Sequence, residues 1–559
     1  MPIKHLVLVK RGAEFSQQDP IHIETDGFRT LEQFKQSIAR AFSIANAESI
    51  SLHIGPTATK LATLDEVKLH DGKIGIKIDG REIQPPRGPH EFPYVGNHFE
   101  IHPDHVGNVS RLLKRYGSVV KTSNMGTTIY VTNDPRVSEV ILGENEFFTK
   151  TTSDSSHPLF YLKDNTALFA CDTDAAAFKV SHKFIPPSMS PKAVRQHLPA
   201  IQRAVEDSFR AFDELDDKDL AFHLYQYMFK LGGQIVYKVV LGLDVGHFDS
   251  VDSKPHEIIH LMGSYLSLMK QTSLSPQWYK YLPFGKSRQL ALVRKRLWGR
   301  IDDAIRDVDS TAHMHMQQAA QHSDCIASYL QRATDDEGNM LPREFLLSNV
   351  VALVGAGLTT SSSMLSHLVY ALAHYSDHHQ ESLLQELIDA GATADKITSW
   401  TYDELTTGLP AIDRFVKETL RLHSPAFQTA RNAKRDVVVP GGWQIPKGAI
   451  VMPSFPAIHT HTDYWENPER FDPDRWIDLK PKHRMAYTPF AAGPRGCIAY
   501  NLAQLEAKVA LAGLVYRYSF SDATDGPTIY DPEFLVIRPL NCYVRAVRRA
   551  AWPKSRSAG

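Results

Sequence analysis

The sequence predicts a mainly α-helical domain with a small β-rich side, preceded by a small α+β module. Three observations carry that prediction. Apolar residues recur at helical spacing in 346–365 and 412–422, and the run N-L-A-Q-L-E-A-K-V-A from Asn501 is amphipathic. Short strand-like runs around one helical stripe fill the chain up to about residue 82. Between the two patterns lies Q-P-P-R-G-P-H-E-F-P-Y-V-G-N from Gln84, whose prolines and glycines mark a linker. The chain therefore divides into a module at 1–82, a linker at 83–97, a large domain at 98–550 and a tail at 551–559 expected to be disordered.

In the module, strand patterns at 3–9 and 21–25 precede a helix carrying Leu31, Phe34, Ile38 and Phe42 on one face. Further strands follow at 50–54 and 73–78. That order is similar to a ubiquitin-like β-grasp, and L-A-T-L-D-E-V-K-L-H-D-G-K-I-G-I is similar in spacing to doublecortin-like domains. The resemblance implies a binding module with a protein partner. The plainer alternative is an insertion that covers the entrance edge of the large domain. The chain begins M-P-I-K-H-L-V-L-V-K-R-G, far short of the roughly twenty apolar residues a bilayer span needs. No transmembrane anchor or secretory signal is expected, so the chain reads as cytoplasmic, soluble or peripherally associated with a membrane.

Composition sets bounds but names no activity. The 559 residues are 43% hydrophobic, enough to fill a large core. Basic and acidic side chains number 62 and 63, with a pI near 7.2, which argues against nucleic acid as a partner. Cys171, Cys325 and Cys542 have no paired spacing and read as thiols in a reducing compartment. His313, His315, His459 and His461 stand in H-M-H and H-T-H, but without a third ligand nearby they read as solvated or structural.

The fourth cysteine differs. Cys497 stands in F-A-A-G-P-R-G-C-I-A, where Gly493, Arg495, Gly496 and a following helix N-terminus are expected to favour a thiolate. A zinc site would want a second Cys or His within a few residues, and none is there. A cysteine nucleophile would need a general base from elsewhere in the fold. The other reading is a haem held by one axial thiolate. The string resembles the haem-binding signature of cytochromes P-450, F-x-x-G-x-R-x-C-x-G or A, matched by Phe490, Gly493, Arg495, Cys497 and Ala499.

Other segments resemble the same family, in its order. In I-D-R-F-V-K-E-T-L-R-L, Ile412, Phe415, Val416 and Leu420 form an apolar stripe, and Glu418 and Arg421 share a face. Such a pair on a surface would be worth under about 1 kcal/mol. The resemblance implies instead a buried E-x-x-R pair joined by Arg475 of F-D-P-D-R-W, specifying the loop that carries Cys497. The run 346–365 resembles the family's distal helix. By that register Thr359 delivers protons, Thr360 is its neighbour, and Ala356 faces haem and substrate, while Leu358 stands where the family has an acid. A plainer reading has both threonines bonding back to the preceding turn. The run 167–191 resembles the W-x-x-x-(H/R) helix, with Phe178 in place of tryptophan and His182 as a propionate partner. Arg431 and Arg495 are the other expected propionate partners, and Leu353, Ala356 and Phe427 the expected pocket residues.

The resemblance covers about 85–548. It implies haem b with Cys497 as iron ligand, and a monooxygenase that inserts one oxygen atom of O2 into an apolar small molecule. Fungal members acting on fatty acids or specialised metabolites are the nearest general likeness. No stretch resembles a flavin or nicotinamide site, so electrons from NADPH are expected through a separate reductase. With Leu358 replacing the acid, use of peroxide or nitric oxide, or coupling or rearrangement without oxygen insertion, stays open, as does a non-enzymatic sensor.

Overall fold

The structure is a computed structural model and describes residues 3–162, 164, 166–308, 314–375, 377–478, 482–531 and 535–556. His313 lies outside them. The N-terminal sheet runs Ile21–Glu24, Ile3–Leu8, Ile74–Ile78, Ile50–Ile54, Lys60–Leu61. Its first strand and Ile74–Ile78 are parallel neighbours, and the other pairs are antiparallel. Thr30 caps the helix Leu31–Ala41 by accepting from the Gln33 N–H, and Phe34 and Ile38 pack fully buried against Leu6, Leu52, Ile74, Ile76 and Ile78. The chain thus opens with the small β-rich region, one helix packed on its sheet, that the strand pattern predicts. The segment K-L-A-T-L-D-E-V-K-L divides into the strand Lys60–Leu61 and the helix Leu64–Leu69, which a Thr63–Glu66 capping box begins.

The stretch expected as a linker is tied down on both sides. Ile83 belongs to the module's core, Gln84 bridges Trp443, and Arg87 bridges Val120. Pro85 and Pro86 hold this segment extended, the conformation that strand pairing requires. Val438 packs into the module's core, and Asp79 accepts from Arg136 Nη1 at 2.9 Å and from the Gly441 N–H at 2.9 Å. The tail is likewise not loose over 551–556. Trp552 stacks on Tyr516 and donates to its carbonyl at 3.0 Å, and Arg556 pairs with Asp389.

In the large domain the helix Arg343–His374 runs through the core. It is long and apolar enough to cross a membrane, but more than half of its apolar window is buried inside the protein. Its glycines serve close helix contact: a Cβ on Gly355 would meet Met262 Sδ at 3.0 Å, and one on Gly357 would meet Val236 at 3.2 Å. A second five-stranded sheet runs Val119–Asn124, Thr127–Thr132, Ile450–Pro453, Arg431–Ala433, Phe148–Thr149. It puts Arg431 beside the strand that leads into Lys150.

Candidate functional site

Glu418 and Arg421 lie on the helix Pro410–Leu422, and both are fully buried. Arg421 donates through Nε and Nη2 to the two Glu418 oxygens, each at 2.9 Å. Its remaining N–H groups reach the carbonyls of His459, Pro468 and Arg470. Glu418 also accepts from Arg475 Nε at 3.0 Å, Trp476 Nε1 at 3.0 Å and the Asp472 N–H at 2.8 Å. A charge buried this deeply is tolerable only when every donor and lone pair is used, as here.

The network continues into the cysteine loop. His459 is fully buried, and burial pushes its ring down to about 3, so the neutral ring accepts the Thr488 N–H at 3.0 Å. Tyr487 donates to the Lys417 carbonyl at 3.2 Å, and Trp465 to the Ala486 carbonyl at 3.3 Å. Within the loop the Cys497 N–H bonds the Phe490 carbonyl at 2.8 Å, and Phe490 meets Tyr500 edge-on. Gly493 sits at φ +72°, and a Cβ there would collide with the Leu142 carbonyl.

Cys497 is the exposed one of the four cysteines, placed just ahead of the helix Tyr500–Arg517. The thiolate-favouring setting expected for it is not what forms. Arg495 turns away, donating to the carbonyls of Leu168 and Cys171 and to Thr173 Oγ1, with its guanidinium 3.9 Å from the Phe178 ring centre. The protein around Cys497 pushes its thiol up, and only the Ala499 N–H opposes this. Phe178 thus offers Arg495 a π-face where the family has tryptophan. His182, one turn on, is exposed and leans on the Phe178 ring at 5.1 Å.

On the helix Arg343–His374, Thr359 is buried and its hydroxyl bonds the Gly355 carbonyl at 3.1 Å. Thr360 bonds the Ala356 carbonyl at 2.6 Å. Both hydroxyls bond back to the preceding turn. The accessible stripe is Leu353, Ala356 and Thr360, and Thr359 lies off it. Leu358 is fully buried toward Gly233, so an acid in its place would sit in an apolar helix contact.

This helix is tied to the helix after Cys497 by Ser361, which donates to Glu506 at 2.6 Å. Burial pushes the Glu506 carboxyl up to about 8. The folded protein therefore keeps this proton up to about pH 8, whereas the unfolded chain releases it near 4.5. Stability is complete below the lower value and declines as pH rises to the upper one. Glu506→Gln is expected to flatten this decline, read as urea midpoints across that range. The same pH slope in the variant would count against a buried neutral acid.

Four charged residues gather beside the second sheet. Lys150 is buried and donates to the Phe169 carbonyl at 2.5 Å. Burial first, then the charges of Arg431 and Arg495, push its ammonium far down. Arg431 is 1% exposed and pairs through Nε with Glu144, while its Nη2 has no partner among the described residues. Glu144, at φ +47°, is the carboxylate in this cluster of three cations. Lys150, Glu144 and Glu506 carry no signal in the sequence, and His459 takes the structural of its two expected roles. Phe427, an expected pocket residue, lies against His105 with ring centres 4.5 Å apart and has the Lys270 ammonium 5.2 Å from its ring centre.

The chain belongs to the cytochrome P450 family: the family profile described as Cytochrome P450 matches residues 86–545. Its class is that of the P450 monooxygenases. It is 48% identical over 534 residues to cytochrome P450 monooxygenase alnD of Emericella nidulans, covering 94% of this chain and 95% of that protein. That match extends into the first 85 residues, which the family profile leaves out. The chain is also 26% identical over 448 residues to abscisic acid 8'-hydroxylase 1 of Arabidopsis thaliana, covering 79% of this chain and 87% of that one. The crystal structure of the cytochrome P450DA heme domain superimposes with a TM-score of 0.71 at 22% identity, covering 84% of this chain and 99% of that one, a likeness of fold.

The donor set fits a haem. The accessible Cys497 sulfur is a soft ligand of the kind that holds haem iron. The surplus of buried cations, with the unpartnered Arg431 Nη2, suits the two carboxylates of the macrocycle.

Proposed function

We propose that this chain inserts one oxygen atom of O2 into an apolar small molecule, a specialised metabolite or a fatty acid, with electrons from NADPH delivered by a separate reductase. The observation that carries the reading is the accessible Cys497, held on a loop that the Glu418 network fastens through His459 and Thr488. When bound, haem b supplies O2 binding and reductive activation, and its thiolate ligand favours O–O cleavage. Cys497 would hold the haem iron, and Phe490 and Gly493 shape its loop. Arg431, Arg495 and His182 would hold the haem carboxylates, with Lys150 near the two arginines. Thr359 and Thr360 hold protons on the distal helix, Thr360 from the accessible stripe. Leu353, Ala356 and Phe427 present apolar surface to substrate.

The N-terminal module is a docking unit for a partner protein, and the chain works in the cytoplasm, soluble or at a membrane surface. Leu358 in place of the family's acid favours a second reading, in which peroxide or nitric oxide is used, or substrate is coupled or rearranged without oxygen insertion. Incorporation of label from isotopic O2 in an NADPH- and reductase-dependent reaction separates the two. The founding test is the absorbance spectrum of reduced protein under carbon monoxide. Wild type is expected to give the strongly red-shifted Soret band of a thiolate-ligated haem, and Cys497→Ser to lose it. A band that survives the substitution removes Cys497 from the iron.

A further inference from the structure

A cavity of about 140 Å³ opens beside Phe427, away from the Glu418 network. It holds many times the roughly 10–15 Å³ that one water requires. Its walls include Ile101, His102, His105, Met452, His157 and Lys270. Lys270 comes from the last turn of the helix Glu257–Ser273. It is 7% exposed, and its ammonium has no hydrogen bond or ion pair to protein among the described residues. The Phe427 ring face is its neighbour. The carboxylate whose charge acts on it, Asp531, is already paired with Arg538.

Another polar atom on this wall, Nε2 of His105, which is 9% exposed, has no partner among the described residues. A buried ammonium without an acceptor is costly, and in a protein such a group either loses its proton or is answered by an anion. Burial does push Lys270 down, to about 8, and pushes His102 and His105 to about 4 and about 3, so both rings are neutral. Neutral imidazoles can donate one N–H each to an anion without adding charge of their own.

The cavity is distinct from the cation cluster that suits the haem carboxylates. Neither Lys150 nor Arg431 lines it, and Lys270 is the cation on its wall. Its Gln428 and Met452 walls lie in the segments flanking Arg431, and its Ser155–Pro158 wall lies in the loop that follows Lys150. A ligand held at Lys270 shares the cavity with the apolar side chains of Ile101, Val109, Ile129, Val131 and Met452.

We propose that the substrate is an apolar carboxylic acid whose carboxylate is held by Lys270, with the His105 ring as a second donor. This deepens the monooxygenase reading and rests on it. It makes Lys270 the residue that fixes which end of the substrate stays at the entrance and which end reaches the reacting centre. Charge selection of this kind separates an acid from its neutral ester, because the ester leaves the buried ammonium unanswered.

The test uses haem-loaded protein and the low-to-high-spin absorbance shift on titration. The probes are the straight-chain acids from octanoic to tetradecanoic and their methyl esters. Wild type is expected to bind the best acid at least about tenfold more tightly than its ester, the size of one lost charged hydrogen bond. Lys270→Met is expected to remove that preference and keep ester binding, and Lys270→Arg to restore part of it. As a check that needs no ligand, Lys270→Met is expected to melt at a higher temperature than wild type, since an unanswered buried charge has been removed. Equal affinities for acid and ester in wild type, or an acid preference that survives Lys270→Met, overturns the proposal. So does acid binding, seen calorimetrically, with no spin shift, which would place the anion away from the iron. A missing red-shifted carbon monoxide band would instead defeat the haem-thiolate reading itself, so the two failures are told apart.

Discussion

Arg421→Ala is expected to cost about 3–5 kcal/mol of folding stability and to leave the protein unable to retain haem. The loss follows from what the guanidinium does. It answers both Glu418 oxygens and caps the carbonyls of His459, Pro468 and Arg470, which come from two different turns. Alanine leaves the His459 and Pro468 carbonyls without this donor, leaves Arg470 only its bond from Arg475 Nη2, and leaves Glu418 with half its charge compensation. The His459 carbonyl and ring lie on the same residue, so the disturbance passes directly to Thr488 and the loop carrying Cys497. Lysine cannot replace the fork: it has one nitrogen where five donor directions are used, so Arg421→Lys is expected to recover less than half of the loss. Denaturant midpoints and the haem-to-protein absorbance ratio read the two effects. A cost under about 1 kcal/mol, the size of an exposed pair, would show that the network does not hold this region together.

That network also shows how far sequence alone reaches. Glu418 and Arg421 are three residues apart on one helix, and spacing alone puts them on one face. Arg475, 57 residues from Glu418, came into view only through the family resemblance, and the structure places its Nε on a Glu418 oxygen. The module's strands were legible because alternation writes burial into the sequence, as in Ile74, Ile76 and Ile78, all fully buried. What was not legible depends on contacts between distant segments. Lys150 and Glu144 look like surface charges in E-N-E-F-F-T-K, and only the edge strand Phe148–Thr149 pairing with Arg431–Ala433 turns them inward. His459 read as one half of an H-T-H pair, whereas its partner is a backbone N–H 29 residues away. Arg495 shows the opposite limit: its place in the cysteine motif was clear, but its direction was set by acceptor carbonyls at Leu168 and Cys171, not by the nearby thiol.

The same cluster yields the second large effect. Glu144→Gln is expected to lower the stability of protein prepared without haem by about 3–5 kcal/mol, because it removes the carboxylate that answers Arg431. Glu144 is 3% exposed on its side chain and Arg431 1%, so water can do little to replace it. Lys150 is already pushed toward its neutral form by burial and by the two arginines, so it adds cost without offering relief. Haem brings two carboxylates. If Arg431, Arg495 and Lys150 face them, the charge lost with Glu144 is largely made good on loading, and the penalty in haem-loaded protein is expected to fall to less than half. Lys150→Met runs the other way: it removes a surplus cation, so it is expected to stabilise the haem-free protein while weakening haem retention. Denaturation of haem-free and reconstituted protein, side by side for both variants, measures all four quantities. An equal Glu144→Gln penalty with and without haem would mean that the cations do not meet the haem carboxylates. The Arg431 guanidinium would then need another anion to answer it once Glu144 is gone, because a charge this deeply buried is costly without a partner.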